Sequence, residues 1–435
     1  MKIMTTRLTA LLAVLLTTLS ALAAGFTVDG ISYDITDQNG RVVAVVAGST
    51  KYTGSVTIPA TVTNGGTTYT VKRIGNYAFE NCSDLTAVTL GSNIEQIGYR
   101  AFRNCTSLSD INWPSSIRKM EGDAFIGCTS LTKVELSGSL EEMASDVFAD
   151  CINVTSVTIN EGCAVIGEGA FRGCTKVKSI NIPNSVTSLG SSAFNGCKAL
   201  LTATIGNGVK RIPNYFFENC NSLESVQLGN KVEQIGYRAF RNCTSLSDIN
   251  WPSSIRKMED DAFIGCTSLT KVELSGSLEE MASDVFADCI NVTSVTINEG
   301  CAVIGEGAFR GCTKVKSINI PNSVTSMGSS AFNGCTALTS ATIGNGVRII
   351  ANYCFENCTA LETVKMGTKL TNVNYRAFRG CKALKSVTVQ NTTVPAADDE
   401  SFNYFTATLY VPSAALSDYK AHAVWGKFEI GRAHV

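Results

Sequence analysis

Fourteen of the 17 cysteines in this 435-residue chain fall at a fixed step of 23, at positions 82, 105, 128, 151, 174, 197, 220, 243, 266, 289, 312, 335, 358 and 381. A period that never slips marks a solenoid, where each unit is too small to bury its apolar face alone and must stack on its neighbours. A phenylalanine stands three residues before every one of these cysteines, from Phe79 and Phe102 to Phe355 and Phe378, so fourteen of the 19 phenylalanines share one column. Both columns are predicted to be core.

One unit reads from Cys174 as Val177, Ile180, Ile182, Pro183, Val186, Leu189, Gly190, Ala193 and Phe194. The alternation of Ile180 and Ile182 predicts a short strand with one face buried. The apolar spacing then lengthens, which predicts a turn and a short helical or 3₁₀ return leg ending in the Ala-Phe pair. The residue before each cysteine is always Asn, Gly or Asp, as at Asn81, Asn104, Gly127, Asp150 and Gly173. These types best tolerate positive φ, so a left-handed turn is predicted there. A longer period overlies the first: residues 95–197 recur at 233–335, six units on, with only Gly122 becoming Asp260 and Leu189 becoming Met327. That is a recent duplication.

The unit Cys-x-x-Leu-x-x-Val-x-Ile-Pro-x-x-Val-x-x-Ile-Gly-x-x-Ala-Phe, seen at 174–194 and 312–332, resembles the BspA-like class of leucine-rich repeats across roughly residues 70 to 405. The resemblance implies about fourteen 23-residue coils with a parallel β-sheet on one face and short return legs. Residues 24–72, with Val28 to Tyr33 and Val56 to Pro59, look like the β-hairpin cap that opens such domains. A strand at Thr408–Val411 and a helical stretch from Ala414 to Trp425 are similar to the strand-helix cap that closes them. The expected domains are therefore a solenoid at 73–405 and a closing cap at 406–429. The family also implies a secreted or surface protein of host-associated microbes that binds host proteins or other cells and is not an enzyme, a statement of analogy, since a fold does not fix an activity.

The start of the chain agrees with export. Lys2 and Arg7 precede an apolar run from Leu8 to Leu19, and Ala21-Leu22-Ala23 offers small residues where a signal peptidase reads, so residues 1–23 are expected to be a signal peptide. No later run approaches the length of a membrane span, so none is expected after cleavage. The first cysteine is Cys82, too late for simple lipidation. At the other end, one coding of residues 430–435, Ile-Gly-Arg-Ala-His-Val, matches a common sequencing-library adapter, which marks the tail as a candidate assembly artefact.

Composition narrows the function. With 36 Lys+Arg against 37 Asp+Glu there is no excess charge to draw the chain onto nucleic acid. The only histidines are His422 and His434, which leaves the repeats without an imidazole for a triad or a zinc site. No catalytic residue, cofactor or metal is expected. A hydrolase of surface polymers is the rival enzyme reading; its best acidic cluster, Glu141, Glu142 and Asp146 with the copies Glu279, Glu280 and Asp284, reads as a solvated edge. A spacer displaying a further domain is the other alternative.

The cysteines allow two readings, disulfides or metal thiolates on one side and a buried thiol column on the other. Stacked coils lie about 4.8 Å apart with side chains parallel, whereas a disulfide wants Cβ atoms near 3.8 Å and turned together. A packed column is expected. Cys163 and Cys301 take the slot of Val186, and Cys354 that of Ala193, all core positions.

Outward positions five and seven after each cysteine tile the sheet face with small polar residues, Asn112, Asn181, Asn250 and Asn319 among them. They suit broad contact with protein or glycan and are equally good solvated strand residues. A sharper pattern is the tyrosine pairs Tyr77/Tyr99, Tyr215/Tyr237 and Tyr353/Tyr375, repeating every 138 residues just ahead of the Ala-Phe pair. Their rings either pack along the ridge between coils or anchor a partner. Trp113 and Trp251 stand where other units have Ile159 or Ile182 and are read as core. Together these features predict an exported, non-catalytic binding or adhesion protein whose ligand is a protein or glycan on host or neighbouring cells. They leave its oligomeric state open.

Overall fold

A computed structural model describes residues 25–432, which form two compact units, one ending at Cys174 and the other starting at Thr175; each is described on its own. The expected signal peptide and His434 lie outside the described residues. Both units are built from coils of a parallel β-solenoid. In the second, Ser179–Ile182 pairs with Thr202–Ile205 so that Ile180 faces Ala203 and Ile182 faces Ile205, a register of one 23-residue repeat. The same register carries Ser317–Ile320, Ser340–Ile343, Thr363–Met366 and Ser386–Val389 through one sheet. In the first unit Lys133–Leu136 pairs with Ser156–Ile159. Inward residues are buried and outward ones exposed, the period of two that a half-covered sheet requires.

The return legs differ from expectation, because they hold no helix. Each opens with a two-residue strand in a second parallel ladder: Gln96–Ile97, Lys119–Met120 and Glu142–Met143 in the first unit, and Arg211–Ile212 through Ser326–Met327 in the second. Turns follow, and their amides alternate in direction. Those of Ala78, Glu80 and Cys82 donate three residues back, to Gly75, Tyr77 and Phe79, at 3.3, 3.1 and 3.1 Å. Those of Tyr77, Phe79 and Asn81 donate across to Tyr99, Ala101 and Arg103 of the next coil, at 2.9, 2.7 and 2.8 Å. The back-bonds have 3₁₀ spacing, but left-handed residues reset the chain every fourth position, so no helix propagates.

All fourteen residues preceding the periodic cysteines have positive φ, between 56° and 81°, as the Asn/Gly/Asp pattern predicted. A second left-handed residue, four positions earlier, recurs in the same fourteen coils with φ between 52° and 59°. Its occupants include Tyr77, Arg100, Asp123, Ser192 and Gly307, a mixture that hid it from the sequence.

Inside, the two columns are as expected. All 17 cysteines are buried thiols outside any disulfide. Phe79, Phe102 and Phe125 stack at 4.9 Å with planes within 7° of parallel, and Phe240 and Phe263 at 4.8 Å and 3°. The stack is disturbed where Phe216 replaces the usual alanine, tilting Phe217 by 31° and 34° against Phe194 and Phe240. The cysteines do more than fill space. Along the column a phenylalanine carbonyl accepts both the amide of the cysteine three residues on and the thiol of the next coil's cysteine, as at Phe79, with Cys82 N at 3.1 Å and Cys105 Sγ at 3.0 Å. Equivalent thiol bonds run from Cys128 and Cys151 in the first unit and from Cys266 and Cys381 in the second. A leucine or valine could fill the slot, yet would leave the second lone pair unsatisfied. Burial pushes the Cys105, Cys151 and Cys220 thiols up to about 12, so they stay protonated.

The ends hold more coils than the cysteine count suggests, about 16 turns in all. Val42–Val46 pairs with Thr67–Ile74 and Gly54–Ile58 with Leu85–Leu90, so these two strands already make a coil that lacks the cysteine. Around it lie the antiparallel strands Phe26–Val28, Ile31–Asp37 and Val42–Val46. A second hairpin, Thr61–Asn64 with Thr67–Ile74, turns on Gly65 and Gly66 at φ 54° and 81°, the mirror-image turn that only glycine-like residues enter freely. At the other end Phe402 adds a further ring to the column, 5.0 Å from Phe378. Thr408–Val411 extends the sheet, the helix Leu416–Ala421 crosses the end, and Glu429–Arg432 pairs with Thr408–Val411. The closing segment thus continues to Arg432 instead of stopping at 429. Tyr52 covers Phe79 at 4.6 Å, and Trp425 and Phe428 meet Phe402 at 5.5 and 5.2 Å, which closes the aromatic column against solvent.

Candidate functional site

The tyrosine pairs form three matched clusters on the return leg. The first residue of each pair, Tyr77, Tyr215 or Tyr353, sits at the variable left-handed position at φ 58–59°. Its partner in the next coil immediately precedes another left-handed residue, an arginine. The rings meet edge to face at 5.5, 5.2 and 5.6 Å with interplanar angles of 86°, 81° and 87°. Arg100, Arg238 and Arg376 each lie 4.7 Å over the centroid of Tyr99, Tyr237 and Tyr375. An acid in the following coil fixes each guanidinium through Nε: Asp123 and Asp261 at 2.9 Å, Glu400 at 3.0 Å. That bond to the acid holds the arginine pKa above its usual value, so the charge is permanent. The arginines and their acids were not singled out in the sequence. The signal was there in Tyr-Arg-Ala-Phe, which recurs at 99–102, 237–240 and 375–378.

The clusters combine both sequence readings, since the rings pack across coils and remain partly open. Tyr77 is 44% exposed and the other five are half-buried. In the first two clusters a further layer steadies the pair. Asn76 accepts from Tyr99 N and from Arg73, and Glu121 accepts from Tyr99 N at 3.0 Å and from Gln96 at 2.5 Å. Asn214, Arg211, Glu259 and Gln234 repeat this arrangement. In the third, Ile349 stands in place of Arg73 and is 45% exposed.

The asparagines divide into two kinds. Asn112 Oδ1 accepts from Leu90 N at 2.6 Å while its Nδ2 donates to Leu90 O at 2.9 Å, and Asn250 does the same to Leu228. These side chains stand in for backbone where the sheet breaks off after Asp110–Ile111 and Asp248–Ile249, so their polar atoms are already engaged. Asn181 and Asn319 are exposed on intact strands. Trp113 and Trp251 are half-buried and lie edge-on to Phe125 and Phe148, and to Phe263 and Phe286. The acidic cluster is ion-paired throughout: Arg118–Glu141, Lys119–Glu142 and Arg172–Asp146 at 2.7, 3.0 and 3.1 Å, with Glu279, Glu280 and Asp284 bound by Arg256, Lys257 and Arg310. No group of three or more potential metal ligands occurs among the described residues.

Parallel coils with inward aliphatic, thiol and benzyl columns define the leucine-rich-repeat class of solenoid. Within it, residues 57–177, 141–270 and 279–408 match the BspA type leucine rich repeat region in six copies, and the chain belongs to that family. A leucine-rich repeat protein from Bacteroides ovatus shares 25% identity across 94% of this chain and 100% of its own, with a TM-score of 0.65. A leucine rich cell surface protein from Faecalibacterium prausnitzii shares 26% identity across 79% of this chain and 94% of its own, with a TM-score of 0.46. No curated protein matches the chain.

Proposed function

We propose that this is an exported, non-catalytic binding or adhesion protein that recognises a protein or glycan on host or neighbouring cells through the outside of its coils. The observation that carries the reading is the threefold recurrence of a tyrosine pair with an acid-fixed arginine at the surface. Membership of a repeat family with an extended surface supports it. The leader at residues 1–23, basic and then apolar, is consistent with a secreted or cell-surface location. In the second unit the clusters at Tyr215 and Tyr353 lie six coils apart, about 29 Å at 4.8 Å per coil, so a ligand with repeating epitopes would gain avidity from modest single sites.

The test is capture of glycans and host proteins by the full chain, beside a variant with all six tyrosines changed to alanine. Specific capture that the variant loses, with its melting temperature within a few degrees of the parent, is the expected result. Silence toward every ligand would favour a spacer, and turnover of a polymer would favour an enzyme; either sinks the proposal.

A further inference from the structure

Resting on the binding reading, we propose that each cluster is a subsite for a neutral pyranose: the sugar face lies on Tyr77, Tyr215 or Tyr353, and two adjacent hydroxyls accept from the terminal nitrogens of Arg100, Arg238 or Arg376.

The tyrosine side of the site is not demanded by the fold. A non-glycine residue in the left-handed region costs about 1–2 kcal/mol, and other coils fill the position with Asp123, Ser192 or Gly307. Tyrosine appears there only where the next coil supplies a second tyrosine and an arginine. The arginine already covers a face of the second ring, and of the six rings that of Tyr77 is the most open. An electron-rich ring face is what the C–H face of a sugar stacks on.

The arginine is built for hydroxyls. Asp123, Asp261 or Glu400 engages Nε, and stacking on the tyrosine holds the plane. Among the described residues neither Nη1 nor Nη2 of Arg100, Arg238 or Arg376 has an acceptor. A fixed plane with an open fork donates two parallel hydrogen bonds, a match for neighbouring oxygens. Charge argues for neutral ones. At the first cluster Arg73 and Arg100 are balanced by Glu121 and Asp123, and at the second Arg211 and Arg238 by Glu259 and Asp261. With no surplus cation at these two, a carboxylated or sulfated sugar would bring in an uncompensated charge there, while at the third Arg376 and Arg379 share Glu400. A peptide is disfavoured because the local backbone is engaged: Tyr77 N donates to Tyr99 O and Arg100 N to Gly122 O, so strand addition has nothing to grip.

The experiment compares neutral hexose oligosaccharides with their uronate- and sulfate-bearing counterparts on the full chain, by array and by saturation-transfer NMR, with a protein panel alongside. Neutral glycans should bind with little dependence on salt, with saturation transferred to ring C–H protons. Changing Tyr77, Tyr215 and Tyr353 together to Ala should weaken binding about tenfold. Arg100→Lys, Arg238→Lys and Arg376→Lys combined should do the same, because lysine keeps the charge and loses the fork. Retention of only acidic glycans, unchanged by the lysine variant, would overturn the sugar assignment. So would capture of a deglycosylated protein that both variants retain, although binding as such would stand. Absence of any ligand would instead remove the function on which the subsite rests.

Discussion

Each of the fourteen cysteine-bearing coils contains two left-handed residues, and they behave oppositely. The one before the cysteine is Asn, Gly or Asp in all fourteen coils; the one four places earlier accepts Tyr, Arg, Asp, Ser or Gly. Both carry the same backbone demand, so conformation does not explain the difference. Surroundings do. At the first position side chains stack coil on coil, as where Asn104 Nδ2 donates to Asn81 Oδ1 at 3.0 Å, and a Cβ on Gly127 would lie 2.6 Å from Asn104 Oδ1. At the second, equivalent side chains also meet, Arg100 with Asp123 at 2.9 Å for one, but the pairing changes from coil to coil instead of repeating one small set of residue types. The repeat thus has a closed corner that preserves the stack and an open corner where new chemistry can be added at small cost.

The contrast can be broken first by pH. Buried thiols at about 12, among them Cys105, Cys151, Cys220, Cys335 and Cys381, lie above the unfolded value near 8.5. An acid whose folded pKa is raised lends stability that is complete below the unfolded pKa and is lost as pH climbs toward the folded one. Melting temperature should hold at pH 8 and fall steeply by about pH 10.5, recovering on acidification; a flat profile would mean the thiols are not buried as described. Next in size, Asn242→Tyr puts at the closed corner the residue that Tyr215 supplies at the open one, and should cost about 1–3 kcal/mol through overpacking, read as a lower urea midpoint. An unchanged midpoint would erase the distinction between corners. Cys266→Ala removes the thiol bond to the Phe240 carbonyl, 3.2 Å long, and should cost about 1–3 kcal/mol. Equality with the parent would reduce the thiol to a filler. The smallest effect belongs to Tyr215→Gly: relief of about 1 kcal/mol of backbone strain offsets a ring pair worth about 0.5–1.5 kcal/mol, leaving the melting temperature nearly still.

What could be read from the sequence follows the same division. Phe79 and Cys82 and their copies were legible because a dry stack admits few side chains, and Asn81 or Gly127 because a closed left-handed corner admits fewer still. The open corner was illegible because Tyr77, Arg100 and Asp123 share no property except a backbone angle. The coil holding Gly54–Ile58 was missed as a coil because it lacks the cysteine that announces the others. The two-residue strands such as Gln96–Ile97 are too short to show a period. For the candidate site, the tyrosines stood out by their 138-residue recurrence, whereas the arginine lid is a matter of three dimensions: Arg100 meets Tyr99 in its own coil but is held by Asp123 in the next. Asn112 and Asn250 misled because an outward polar residue looks free until its two bonds to Leu90 or Leu228 are seen.

The constant 23-residue register has a genetic consequence. Since every coil meets its neighbours through the same hydrogen bonds, unequal crossing-over between residues 95–197 and their copy at 233–335 would join compatible coils at the seam. Strains of the source organism could then carry shorter or longer alleles, differing by one tyrosine pair each, with grip on a repetitive surface tuned by recombination alone.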